Sequence, residues 1–147
     1  SAASDVYKRQ PKAGTITGKN GTEINVDATT KDSEGESFDG IILPGGTNNA
    51  DLIRLDESAV SIVRKHMGED RPLGAICHGG WILADADVLN GRTLTSFPSL
   101  QTDLRNAGAT WVDEEVHCDQ GLVSSRTPDD LPAFNAKLVE EFAEGQH

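Results

Sequence analysis

No stretch of this 147-residue sequence is apolar for long enough to cross a membrane, and no secretory hydrophobic region is seen. Cysteine is scarce. Cys77 and Cys118 are the two cysteines, they lie far apart, and nothing else suggests a small domain stapled by disulfides. Free thiols in a reducing cytoplasm are therefore expected. Positive charge is also short: 13 Lys and Arg against 24 Asp and Glu leave a net charge of −11. Such a surface repels phosphate backbones and anionic lipids, which argues against nucleic acid and membranes as partners. Hydrophobic residues make up only 36% of the chain, with 15 glycines filling part of the remainder. The apolar positions are clustered, however, so one core in one domain is the expectation.

The first ten residues, Ser1 to Gln10 (SAASDVYKRQ), look like a translated transposon-type sequencing adaptor, and they are set aside from the fold argument. Residues 11–147 are read as a single domain. Thr15 to Asp27 predicts a β-hairpin with its tight primed turn at Asn20-Gly21, because Asn-Gly tolerates positive φ at both central positions. Thr29 to Ser37 is polar and acidic and reads as a loop. Phe38 to Leu43 ends in an Ile-Ile-Leu run stopped by Pro44-Gly45-Gly46, the pattern of a parallel strand buried on both faces. Asp56 to Met67 has helical spacing, with Val60, Val63 and Met67 on one face, Asp56 as N-cap and Gly68 as stop.

Leu73 to Ile76 is a second buried strand, followed by a turn at Cys77-His78-Gly79-Gly80 and a short helix from Trp81 to Ala86. Thr93 to Ser96 predicts a strand and Ser99 to Ala107 a helix closed by Gly108. Val116 to His117 and Leu122 to Ser124 predict short strands around a turn near Asp119-Gln120-Gly121. Asp129 to Glu144 is the last helix, with Leu131, Phe134, Leu138, Val139 and Phe142 as its apolar stripe. Strands alternate with helices at βαβ distances, so the class is α/β with a mostly parallel sheet.

The chemistry concentrates at Leu73 to Gly80. A nucleophile on a sharp strand-to-helix turn is exposed, and the backbone N–H groups of the following turn favour the thiolate, the reactive form of cysteine. The crowded backbone of such a turn needs small neighbours, which Gly74, Ala75, Gly79 and Gly80 provide. A buried structural cysteine beside a surface histidine is the competing reading of the same residues. His78 can fold back onto the sulfur only if the backbone bends there, since adjacent side chains on a helix diverge. Pro44-Gly45-Gly46 ends the preceding strand on the side where parallel sheets bind ligands, and glycine there lets N–H groups approach a developing oxyanion. An ordinary Gly-Gly loop is its plain alternative.

Several blocks together resemble the PfpI-type intracellular peptidase and deglycase family. They are Gly14 to Lys19 (GTITGK), Leu43 to Gly46 (LPGG), Ala75 to Gly79 (AICHG), Asn106 to Gly108 (NAG), Trp111 to Asp113 (WVD) and Ser124 to Phe134 (SSRTPDDLPAF). The resemblance runs from about Ala13 to the C-terminus. It implies a flavodoxin-like α/β sandwich, helices on both faces of a mostly parallel sheet, related to class I glutamine amidotransferases. It also implies Cys77 as nucleophile, His78 as its partner, and the backbone N–H groups of Gly46 and His78 as the oxyanion hole. Asp51 best matches the acid that this family donates across a subunit interface to orient the histidine, so a homo-oligomer, a dimer or larger, is expected. No cofactor or metal is implied.

Two chemistries fit: hydrolysis of peptides, or attack on a small aldehyde or a glycated protein. A rival from another class is a non-catalytic stress-response oligomer, either a redox sensor using Cys77 or a chaperone-like holdase. The family's first βα unit, which carries a glutamate that contacts the thiol, has no counterpart here. The expectation is a poorly stable chain with a compromised site, because a missing central strand leaves its neighbours unpaired. His117 and Cys118 could join Cys77 and His78 around a metal, but the spacing fits no zinc pattern, and a core cysteine is the default. Arg126 and Asp130 are read as ordering the last loop and helix, and Trp81 and Trp111 as packing residues.

Overall fold

The computed structural model describes residues 8–17 and 20–146. Most of the segment set aside at the N-terminus, residues 1–7, and the turn residue Lys19 lie outside the described residues. The first elements are β1 (Arg9–Gln10), β2 (Gly14–Thr17), β3 (Glu23–Val26), β4 (Ala28–Thr29) and α1 (Thr30–Ser33). β2 and β3 form the expected antiparallel hairpin, with Ile16 opposite Ile24. Its last pair among the described residues is Thr17 with Glu23, and Asn20 does not have the positive φ of a primed turn. β1 pairs in parallel with β4. The expected loop at residues 29–37 contains a single helical turn, α1. The Thr29 hydroxyl caps it by accepting from Asp32 N at 3.1 Å, and Thr30 and Ser33 are buried.

Next come β5 (Ile41–Leu43), α2 (Thr47–Ile53), α3 (Glu57–Gly68) and β6 (Leu73–Ile76). A 3-10 turn at Cys77–Trp81 then leads into α4 (Ile82–Asp85). The N-cap of α3 is the expected one: Asp56 Oδ2 accepts from Ala59 N at 3.1 Å and from the Thr30 hydroxyl at 2.6 Å. The chain continues through β7 (Thr93–Leu94), a 3-10 turn at Pro98–Leu100, α5 (Gln101–Asn106), β8 (Thr110–Trp111), β9 (His117–Asp119) and β10 (Leu122–Ser125). A last 3-10 turn at Pro128–Asp130 opens α6 (Leu131–Glu144). β9 and β10 meet at Asp119 and Leu122, leaving Gln120 (φ 49°) and Gly121 (φ 84°) as the two-residue primed turn.

The principal sheet has the order β5-β6-β10-β9, parallel except for β9. Its two faces bury different clusters, as alternation along β6 and β10 requires. Leu73, Ala75 and Leu122 join Val63, Met67, Ile82, Leu83, Leu94 and Leu104 on one side. Ile76 and Val123 meet Phe134 and Leu138 of α6 on the other. Gly74 has no side chain because α6 lies against it: a Cβ there would come within 3.0 Å of Phe134 Cζ and overlap Leu138. Helices thus cover both faces of a mostly parallel sheet, as expected.

Two expectations about burial fail. β5 is the edge of the principal sheet among the described residues, so Ile42 is 47% exposed and not buried between neighbours. On α6, Phe134 and Leu138 are buried, yet Val139 is 71% and Leu131 39% exposed. Val139 sits one residue, about 100°, round the helix from Leu138 and points away from the sheet. Glu141 takes a place on the buried side instead. Among the described residues no helix is long and apolar enough to cross a membrane.

Candidate active site

β6 ends in a backbone conformation that few side chains tolerate. Cys77 has φ 60°, the left-handed region, where a residue with a Cβ carries strain. This is the sharp elbow that the cysteine's position between Ile76 and the two glycines called for. The bend returns His78 to the sulfur: Cys77 Sγ and His78 Nδ1 lie 3.3 Å apart. Gly45 runs directly against the same residue, where an added Cβ would be 2.8 Å from Cys77 Cβ and 3.5 Å from Sγ. A Cβ on Gly79 would overlap the Leu43 carbonyl oxygen and lie 2.8 Å from that of Pro44. The two glycine motifs therefore fit against each other backbone to backbone, which no larger residue permits.

His78 is 7% exposed, and its ring is stacked on Phe97 with centroids 4.6 Å apart and planes 25° from parallel. Trp81 meets it edge-on at 6.3 Å. Its second nitrogen, Nε2, is 3.4 Å from the Ser99 hydroxyl. Burial lowers the His78 pKa from its ordinary value, so the ring is neutral at neutral pH and Nδ1 can accept the thiol proton. Burial raises the Cys118 thiol instead. Both cysteines are free.

Gly46, with φ 97°, precedes α2, and His78 is the second residue of the 3-10 turn after β6. N–H groups at such starts have no partner within their own helical turn. Asp51 lies on α2 and is exposed; within the single chain it is not among the hydrogen-bond partners of His78. The contemplated four-residue metal site does not assemble. His117 Nδ1 pairs with Glu114 Oε2 at 2.9 Å, and Cys118 packs against the α6-side cluster. Among the described residues the one grouping of possible metal ligands is Glu140, Glu141 and Glu144, on α6.

Arg126 and Asp130 order the last loop. The guanidinium spans Asp130 (Nε to Oδ2, 2.9 Å) and Asp113 (Nη1 to Oδ1, 2.9 Å), and it holds the Asp130 carboxyl below its usual range. The two tryptophans do more than pack: Trp81 Nε1 donates to Asp103 under the Arg54 guanidinium, and Trp111 Nε1 donates to Ser96 Oγ. Phe97 and Ser99 escaped the sequence reading. The available signal was their position just after the strand at Thr93, at the carboxyl end of a strand where α/β sheets place their sites.

The DJ-1/PfpI family matches residues 2–141. Deglycase PH1704 of Pyrococcus horikoshii is 46% identical over 136 residues, which are 92% of this chain and 81% of that protein. General stress protein 18 of Bacillus subtilis is 44% identical over 130 residues, 87% of this chain and 75% of that protein. A solved two-domain protein of Anabaena variabilis, containing DJ-1/ThiJ/PfpI-like and ferritin-like domains, shares the fold with a TM-score of 0.82. Its identity is 32%, over 88% of this chain and 37% of that one. With a family match over nearly its whole length and relatives above 40% identity, the chain belongs to the DJ-1/PfpI family.

Proposed function

We propose that this chain is a cysteine hydrolase that attacks a carbonyl carbon through Cys77, acting as a deglycase or glyoxalase-type enzyme or as a peptidase. The observation that carries the reading is the strained Cys77 elbow with His78 Nδ1 at 3.3 Å and Gly45 packed against the sulfur. His78 Nδ1 takes the thiol proton and the sulfur bonds to the carbonyl carbon. The oxygen that gains charge is received by the N–H groups of Gly46 and His78, and the imidazolium returns the proton to the adduct or the leaving group. The name of the Pyrococcus horikoshii relative favours the deglycase form. Asp51, exposed on α2, is proposed to reach His78 of a second copy, which makes a homo-oligomer the working unit.

The test compares the wild-type chain with Cys77→Ser, measuring lactate formed from methylglyoxal beside cleavage of small peptide amides. Lactate that disappears in the serine variant supports the deglycase form, and amide cleavage that disappears supports the peptidase form. Neither product, from a full-length chain with the thiol intact, sinks both. A Cys77 that oxidises readily while its replacement changes no turnover would instead favour the redox-sensor reading, which the name of the Bacillus subtilis relative keeps in view.

A further inference from the structure

His78 can take a proton from Cys77 only while its ring keeps one orientation, and a histidine side chain has several rotamers open to it unless something holds it. Two aromatic rings lie against this one. Phe97 is stacked on the imidazole with centroids 4.6 Å apart and planes 25° from parallel, and Trp81 meets it at 6.3 Å with planes 60° apart. From this geometry we infer that Phe97 and Trp81 are positioning residues that clamp the His78 ring and keep Nδ1 at 3.3 Å from Cys77 Sγ. The Trp81 indole N–H is already given to Asp103, and a phenyl ring has no polar group to give, so the clamp engages neither imidazole nitrogen. It leaves Nε2 to the acid proposed above. The inference rests on the reading of Cys77 and His78 as the reacting pair.

Each clamping ring is itself fixed by groups other than His78. Phe97 N donates to the Cys77 carbonyl at 3.0 Å, so the stacked ring is tied to the elbow it serves. The Phe97 carbonyl accepts from Ser96 Oγ at 2.9 Å and from Leu100 N at 3.0 Å, and Trp111 Nε1 donates to that same Ser96 hydroxyl at 2.9 Å. Trp81 ends the 3-10 turn on which His78 lies, and side chains three residues apart in such a turn eclipse one another. Its Nε1 donates to Asp103 Oδ2 of α5 at 2.9 Å. The Arg54 guanidinium, at the end of α2, lies 4.3 Å over the indole and pairs with Asp85 of α4 at 2.7 Å. Arg54, Asp85 and Asp103 are thereby engaged with one another or with the indole, and the two rings reach His78 from separately anchored elements.

An aromatic pair adds attraction beyond its buried area, and losing it lets the imidazole populate rotamers in which Nδ1 faces away from the sulfur. The reaction of the thiol then slows with the fraction of chains still aligned. Phe97 and Trp81 are half-buried, so shortening either disturbs the fold less than a core truncation would.

The experiment measures the rate of iodoacetamide labelling at Cys77 at pH 7, by mass spectrometry on the full chain. Cys118 labelling and a thermal melt of each variant report the fold, and His78→Ala sets the scale by removing the imidazole. Phe97→Leu and Trp81→Leu are each expected to slow labelling about two- to tenfold. Phe97→Tyr, which keeps a ring to stack, is expected to stay within about twofold of the wild type. In a His78→Ala background Phe97→Leu should change nothing further, because the ring it acts through is gone. Three outcomes overturn the inference: leucine variants that label as fast as the wild type or faster, a tyrosine variant as slow as leucine, or a Phe97→Leu change that still slows labelling without His78. Phe97→Met, flexible and without a ring face, takes the place of leucine if that chain opens. A His78→Ala chain that labels at the wild-type rate would remove the reacting pair itself, and the clamp with it.

Discussion

Gly79 and Gly80 are adjacent in sequence, yet alanine at the two positions should act in opposite directions. At Gly79 the new methyl would overlap the Leu43 carbonyl oxygen and sit 2.8 Å from that of Pro44, both backbone atoms that cannot rotate away. Relief requires the Leu43–Pro44 segment to move off the elbow. Overpacking of this kind costs about 1–3 kcal/mol. For a chain of this length that lowers the melting temperature by about 3–10 °C. Because the displaced segment leads into Gly45, which lies against Cys77, the reactivity of Cys77 should fall by about ten- to a hundredfold. At Gly80 the nearest atoms to an added Cβ are Ala75 Cβ at 3.8 Å, Leu83 Cδ1 at 3.9 Å and Leu94 Cδ1 at 4.0 Å, ordinary apolar contacts. Its φ is not positive, so Gly80→Ala should be neutral or stabilising by about 0.4–1 kcal/mol through the unfolded chain. Thermal melts and Cys77 alkylation rates of the two variants, run side by side, check both halves. A Gly79→Ala chain as stable and as reactive as the wild type would refute the close packing of the two glycine motifs, and so would a Gly80→Ala chain equally damaged.

Three further outcomes are expected. At pH 7 iodoacetamide should label Cys118 far more slowly than Cys77 in the folded chain, because burial raises the Cys118 thiol; equal rates, scored by peptide mass spectrometry, would contradict the burial argument. His66 is 2% exposed, donates Nε2–H to the Pro72 carbonyl at 2.8 Å, and is depressed chiefly by desolvation. The unfolded chain therefore binds the proton first, so its contribution is complete above the ordinary value of 6.5 and is lost as pH falls below it. Denaturant melts of His66→Gln across that range should lose less stability on acidification, although His78, shifted in the same direction, keeps part of the slope. Asp130→Asn should cost about 2 kcal/mol at pH 7 by loosening the clamp from Arg126. Since Arg126 lowers the Asp130 carboxyl, that difference should shrink as pH drops below about 4, and a constant gap in chemical melts would disprove the linkage.

Much of the molecule was legible from local rules. The Asp56 cap, the span of α3, the β6 strand and the long last helix follow from periodicity and capping, which are properties of neighbouring residues. The elbow was legible as one of two readings: small residues on both sides of Cys77 allow a crowded turn, and the strained φ of Cys77 is seen only in the fold. The primed turn was placed at Asn20-Gly21 on composition, but Gln120 and Gly121 adopt it, because the β9–β10 register there leaves only two residues to turn. Ile41, Ile42 and Leu43 look like a doubly buried strand, and only the sheet order makes Ile42 an edge residue.

By itself the sequence determined the α/β class, the helices with strong caps, and the candidacy of Cys77 and His78, all of which rest on contacts between residues close in the chain. The tertiary structure alone decided what surrounds them. The Ser99 hydroxyl and the Phe97 ring at His78, and the fit of Gly79 under Leu43, join residues that are 19 to 36 positions apart. No local pattern encodes such distances, because they are set by how β5, β6 and the segment after β7 pack around one core.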